Sequence, residues 1–276
     1  MTTAIRNGTV LAWRNGRHEV CKNAELVFDG NEIVFVGEGY EGAIDEVIDA
    51  TGRLVIPGLI NGHLHVTDTP FTKGYLEDTG SSANTAEAQN FVSLYKILPE
   101  VRHATDGEAQ VVAAECAFAE LARLGGVINS IQKYQDMGIN QCIGTDTYPF
   151  DLFNDMRMGA VICKIVERSA EAALSEDVFN MATVGGGDAL KRPDLGRLAA
   201  GCKADIVTVR IDTPKAAPVY DPFKFLVLTA SGDDVDRVIV DGRTLVDGGE
   251  VLTLDVPDAV RRLNEASECV WARLDL

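Results

Sequence analysis

The sequence predicts an α/β protein in which two β-rich segments, one toward each end of the chain, flank a middle of helices and single buried strands. Three observations carry this. Residues 1–50 alternate short β-rich runs with turn dipeptides. Runs of the same character return beyond Ala204. Between them lie apolar residues at helical spacing, glycine stops, and an apolar run succeeded by a loop and a helix.

In chain order, Thr9-Val10-Leu11-Ala12-Trp13 leads into Arg14-Asn15-Gly16, and Ala24-Glu25-Leu26-Val27-Phe28 leads through Asp29-Gly30-Asn31 to Ile33-Val34-Phe35-Val36. That spacing predicts hairpins. In the middle, Asp106 caps a helix running through Glu115 and Leu121 to a stop at Gly125-Gly126. Asn129, with Gln132 three residues on, resembles a capping box for a short helix ending at Gly138. Next comes the apolar strand Gln141-Cys142-Ile143-Gly144, and after Pro149 a helix bearing Leu152, Met156, Val161 and Ile165. Strand, loop and helix in that order form an α/β unit, whose chemistry sits at the C-terminal end of the strand. Further β character occurs at Ala204–Val209 and at Val235–Val246, the latter with Asp241-Gly242 at its centre. Pro257 to Leu276 reads as an amphipathic helix with Val260, Leu263 and Val270 inward. Its polar face is mixed in charge, which fits docking on a protein body and not a membrane surface.

The bulk properties exclude several classes. With 276 residues and 46% hydrophobic content the chain can bury a core. Its 42 acidic residues against 25 basic ones give a net charge of -17, which repels phosphate backbones and anionic bilayers, so neither nucleic acid nor membrane is expected as a partner. The acidic residues are scattered, as on a solubilising surface. Six cysteines lie far apart without a CxxC pair and read as buried thiols of a reduced compartment. The N-terminus lacks the basic-then-apolar order of a signal peptide, and no run of about 20 apolar residues is present, so a soluble cytoplasmic protein is expected.

The sharpest local signal is Val55-Ile56-Pro57-Gly58-Leu59-Ile60-Asn61-Gly62-His63-Leu64-His65. In a strand, residues two apart face the same side, so His63 and His65 can turn both imidazoles into one site while Leu64 packs behind. Two satisfied or exposed histidines give the same pattern; the Pro-Gly entry at the edge of a β region favours metal ligands. The second signal is Ile143-Gly144-Thr145-Asp146-Thr147, an apolar strand that brings an aspartate to its C-terminal end. A carboxylate there can ligate a metal and take a proton from its water, and a helix cap is the alternative for an aspartate so placed.

Taken together, Pro57–His65 resembles the first barrel strand of the amidohydrolase superfamily, Gly144-Thr145-Asp146 resembles its eighth, and Leu195-Gly196-Arg197-Leu198-Ala199-Ala200-Gly201-Cys202-Lys203-Ala204-Asp205-Ile206-Val207 resembles its return from barrel to β-sandwich. The flavour is that of the branch containing cytosine and guanine deaminases, S-adenosylhomocysteine deaminase and triazine chlorohydrolases. The resemblance implies a (β/α)₈ barrel holding one divalent metal, Zn²⁺ or Fe²⁺, plus a small β-sandwich built from both chain ends. Residues 1–54 and 200–256 would form the sandwich, 55–199 a partial barrel and 257–276 the docking helix. By the same resemblance His63 and His65 are metal ligands, and Asp146 both contacts the metal and shuttles protons. The implied activity is hydrolysis of a non-peptide carbon–nitrogen bond, the deamination of a small heterocyclic substrate by metal-activated water.

The chain departs from that pattern in length. A complete barrel takes about 250 residues, far more than lie between Leu54 and Leu198. The chain beyond the long helical stretch resembles a seventh helix and an eighth strand. The central strands are missing, with the seam near Gly125 to Asn129 and a trace of a second strand at Val127-Ile128. The family draws two more histidines, and often a glutamate, from its fifth and sixth strands. The other histidines here, His18 and His103, do not come after barrel strands. One reading therefore keeps the metal chemistry, with a second subunit in a homo-oligomer completing the barrel. The other is a catalytically incomplete remnant or internally deleted form, which the exposed strand edges of a half-barrel favour. A third, an acidic binding module, would need a clustered acidic face or aromatic anchors, yet Trp13 and Trp271 fall in a strand and in the docking helix. Asp68–Tyr75 reads as an ordinary βα connection, with aromatic or cationic contacts to a substrate as the alternative, and Tyr148 and Asp151 are expected no closer than beside the pocket.

Overall fold

The structure, a computed structural model, describes residues 1–63, 131–145 and 150–273. They divide between two compact units, one comprising Met1–Gly62, Ser130–Ile143 and Leu152–Thr253, the other the remainder.

The first unit begins with a run of strands: β1 (Thr2–Arg6), β2 (Thr9–Arg14), β3 (Arg17–Lys22), β4 (Glu25–Asp29), β5 (Glu32–Gly37), β6 (Glu46–Asp49) and β7 (Arg53–Pro57). After α1 (Ile131–Asp136), α2 (Leu152–Glu167), α3 (Ser175–Met181) and α4 (Val184–Ala189) come β8 (Ile206–Arg210), α5 (Pro222–Leu228), β9 (Val235–Val240), β10 (Arg243–Asp247) and β11 (Glu250–Val251). The expected hairpins form for the expected reason. Between β2 and β3, Asn15 and Gly16 sit at φ 51° and 78°; between β9 and β10, Asp241 and Gly242 sit at φ 49° and 76°. Both central residues of a tight hairpin turn need that left-handed backbone, which Asn, Asp and Gly adopt at least cost.

Two sheets result. One has the order β5-β4-β1-β6, the other β11-β10-β9-β8-β7-β2-β3. The join between the chain ends is the antiparallel pair of β7 and β8, in register from Arg53 opposite Arg210 to Pro57 opposite Ile206. Period-two alternation then assigns the faces of the larger sheet. Val10, Ala12, Val55, Ile206 and Ile239 share a core with Ile5, Leu26, Phe28 and Ile33 of the smaller sheet. Leu11, Leu54, Ile56, Val207 and Val209 point the other way, into a core with Phe153, Met156, Val178, Phe179, Phe225 and Leu226 of the helices. Strands buried on both faces read as near-continuous apolar runs, which is why β7 and β8 show no polar alternation. The turns of the two sheets also interlock: Ile33 N donates to Cys202 O at 2.8 Å and Ala204 N to Asn31 O at 2.9 Å. A Cβ on Gly242 would lie 1.9 Å from Gly30 O, so that approach needs glycine as well as the positive φ.

Several local expectations are corrected. On α2 the inward stripe is Phe153, Met156, Ala160 and Cys163, while Val161 and Ile165 are exposed. The Gln132 amide donates to Asp136 Oδ1 at 2.9 Å, one turn along α1, and its expected capping partner Asn129 lies outside the described residues. The helix does stop before Gly138, at φ 69°. The thiols are not uniformly interior: Cys163 and Cys202 are buried, Cys142 and Cys269 exposed. The helix capped by Asp106 also falls outside the described residues.

Among the described residues of the second unit the regular element is α6 (Val256–Trp271). Asp255 caps it by accepting from Asp258 N at 3.0 Å, and Pro257 occupies the first turn, where its missing N–H costs nothing. Ala259 and Val270 are buried, but Val260 is exposed and Leu263 half-buried, so the inward stripe is narrower than its sequence suggests. Among the described residues no helix is long and apolar enough to cross a membrane.

Candidate functional site

Beyond Pro57 the chain leaves the large sheet and is steered by its own backbone. Gly58 N donates to Asp205 O, Ile60 N to Ala182 O and Gly62 N to Ile143 O, each at 2.8 Å. Ile143 N in turn donates to Met181 O at 3.2 Å. The segments that carry the two sequence signals are thus tied to each other, and both lean on carbonyls at the C-terminal end of α3. These carbonyls have no partner within the helix and need donors. Ile143 and Thr145 are buried, which anchors the second segment.

His63 is next in the chain, and its backbone runs against Gly144. A Cβ at Gly144 would lie 2.6 Å from His63 N and 2.7 Å from His63 Cβ. One step earlier, a Cβ at Gly62 would lie 2.7 Å from Cys142 Sγ and 3.1 Å from Ile143 O. A side chain at Gly144 is excluded by the His63 backbone, whereas at Gly62 the nearest atom is the end of the Cys142 side chain. His65 is two residues beyond His63 in sequence, and Asp146 two beyond Gly144.

The expectation that His63 and Gln141–Gly144 lie on buried strands is corrected. Strand pairing ends at Pro57, residues 58–63 and 141–145 are irregular, and Asn61, Gly62 and His63 are exposed. A strand needs a repeating ladder with its neighbours. Here Gly62 N donates to Ile143 O across the segments, while Ile60 N and Ile143 N donate to carbonyls at the end of α3 and Gly58 N to Asp205 O. His65 and Asp146 lie outside the described residues, as do Asp68–Tyr75, His103 and Tyr148. Asp151 is described and half-buried.

Two histidine nitrogens and a carboxylate are a zinc-type donor set. Of that set His63 is the described member, and it stands against Gly144, two residues before Asp146 in sequence. Among the described residues no three His, Cys, Asp or Glu side chains converge.

His18 is a different kind of histidine. It is buried on β3, its ring edge-on to Trp13 and Phe179 at centroid distances of 4.9 Å and 5.2 Å. Nε2 lies 3.3 Å from Thr183 Oγ1, whose hydroxyl donates to Phe179 O at 2.8 Å. Burial pushes its pKa down from 6.5 to about 4, helped by the Arg197 cation and opposed by the Leu11 backbone. It is a neutral packing residue.

The sequence pattern did not single out Gly62 and Gly144 as the residues that set the approach. The signal was present: a glycine directly precedes His63, and another stands two residues before Asp146.

Comparison with known proteins places the fold first. An adenosine deaminase from Xanthomonas campestris, solved with bound zinc, superimposes with a TM-score of 0.82 at 14% identity over 98% of each chain. Atrazine chlorohydrolase from Arthrobacter aurescens TC1, complexed with zinc, gives a TM-score of 0.71 at 16% identity over 96% of this chain and 100% of that one. Likeness to these structures defines a TIM-barrel-type domain. The Amidohydrolase family profile matches residues 74–245, and the chain belongs to that family. Among curated relatives, a 5-methylthioadenosine/S-adenosylhomocysteine deaminase of Natronomonas pharaonis is 34% identical over 159 residues, covering 56% of this chain and 36% of the relative. A 5'-deoxyadenosine deaminase of Methanosphaera stadtmanae is 34% identical over 142 residues, covering 50% of this chain and 33% of its own length. The chain therefore spans about a third of the length of the curated relatives it matches.

Proposed function

We propose that this chain carries the metal-holding part of a hydrolase that removes an amino group from a small nitrogen heterocycle, with His63, His65 and Asp146 as the protein ligands. The observation that carries the reading is the seating of His63 against Gly144, two residues before Asp146. It brings the two motif-bearing segments to one place although they are distant in sequence. A divalent ion of the zinc class, or iron, supplies a water acidic enough to be a nucleophile at neutral pH. The two imidazoles fix the site, and the Asp146 carboxylate accepts the proton that the attacking water gives up. The names of the curated relatives support an aminated purine nucleoside as substrate class. In this reading the two sheets are the composite β-sandwich of residues 1–54 and 200–256, and residues 55–199 are an abbreviated barrel.

A second reading, that the chain alone lacks turnover, is favoured by its span of about a third of those relatives. Groups for binding the heterocycle and protonating the departing amine would then come from a second subunit or be missing. One experiment separates the two: ammonia release from 5'-deoxyadenosine and S-adenosylhomocysteine by the zinc-loaded chain, with and without chelator. Chelator-sensitive release supports the deaminase, zinc binding without release supports the incomplete form, and neither binding nor release refutes the metal reading.

A further inference from the structure

We propose that Gly144 is a positioning residue for His63: the absence of a side chain there fixes where the His63 backbone, and so its imidazole, stands relative to the segment that continues to Asp146. The inference rests on the metal reading above and adds a residue that donates nothing to the metal. Three atoms of His63 crowd the place of a Gly144 Cβ: N at 2.6 Å, Cβ at 2.7 Å and Cα at 3.0 Å. Two of these are backbone atoms and the third is fixed to them, so no rotamer change makes room. An added methyl group must push the two segments apart. By contrast, the nearest atom to a Gly62 Cβ is the exposed Cys142 Sγ at 2.7 Å, a side-chain end that can rotate away, with Ile143 O next at 3.1 Å. Gly159 on α2 is looser still, with Ile131 Cδ1 at an ordinary 3.5 Å. Metal ligands must be held to within about 0.5 Å of productive geometry, and a shift of the His63 backbone by half an ångström or more exceeds that tolerance.

Two measurements on the whole 276-residue chain test this. In the metal-free chain, the ring resonances of His63 in ¹⁵N-labelled protein should move in Gly144→Ala while those of buried His18 stay in place. On titration with zinc alone, Gly144→Ala should bind at least tenfold more weakly than the starting chain. Gly62→Ala should lose a smaller factor and Gly159→Ala none. Unmoved His63 resonances, or zinc affinity equal to that of the starting chain, overturn the proposal. Zinc binding that survives His63→Ala overturns the metal reading itself, and the proposal with it. Should Gly144→Ala fail to fold, Gly62→Ala disturbs the same approach more gently; unchanged His63 resonances and zinc affinity in that variant would equally overturn the idea.

Discussion

His18 Nε2 and Thr183 Oγ1 stand 3.3 Å apart, joining strand β3 to the start of α4 across the large sheet's helical face. Because the Thr183 hydroxyl is already donating to Phe179 O, the ring nitrogen must be the donor, and the neutral imidazole serves. Burial in the fold, with the Arg197 cation, holds the pKa at about 4 against 6.5 for the free side chain. Between those values the unfolded chain binds more protons, so stability is full above about pH 6.5 and falls as pH drops toward 4. The depression corresponds to roughly 3 kcal/mol. Urea unfolding at steps from pH 7 to pH 4 should show a decline of that order, and His18→Phe should remove most of it. An unchanged slope in that variant would show that other groups carry the acid sensitivity.

Thr208 on β8 is buried and its hydroxyl has no hydrogen-bond partner among the described residues. Valine has nearly the same shape without the polar atom. Thr208→Val should raise stability by about 1 kcal/mol, since an unsatisfied buried hydroxyl costs about 1–3 kcal/mol. A midpoint in urea at or below that of the starting chain would contradict this.

Gly242 combines φ 76° with a Cβ position 1.9 Å from Gly30 O. Gly242→Ala should cost about 2 kcal/mol or more, from backbone strain and from parting the interlocked turns. The check is the loss in thermal midpoint against a Gly16→Ala control, which shares the positive φ but has open space around its Cβ.

His63 is exposed, so its removal should leave stability within about 0.5 kcal/mol. Under the proposed function, His63→Ala should nonetheless abolish tight zinc uptake by the chain. A variant that loses both the fold and zinc would mark His63 as structural.

Asp146→Asn keeps the size of the side chain but not its ability to take a proton. If the chain turns over an aminated purine nucleoside, this change should lower kcat by at least 100-fold, the lower range for a lost general base. A kcat within a factor of three of the starting chain would remove Asp146 from the proton path.

The parts of this fold set by local chemistry were legible in the sequence. Asn15-Gly16 and Asp241-Gly242 announce their turns because few residues tolerate that backbone, and Pro257 marks the first turn of α6. The β-rich character of both chain ends could be read from composition. Their pairing through β7 and β8 could not, because register between distant strands depends on which faces find cover. Helical spacing alone did not tell which apolar residues of α2 meet the core: Val161 and Ile165 are exposed, Met156 buried. At the candidate site the donor types were readable from His63, His65 and Asp146. The close approach at Gly144 was not, since a glycine shows what it permits only once its neighbour is in place.

The pairing of β7 with β8 has a consequence for synthesis. On the ribosome β7 is made long before β8, and at about 5–20 residues per second the wait is on the order of ten seconds. Throughout that interval Leu54 and Ile56 lack the partner strand, and for about its first two thirds they also lack the helices that bury them later. A nascent chain with an unpaired apolar strand is what a chaperone binds, so arrested translation before Ile206 should leave the emerging polypeptide in the hands of such a factor.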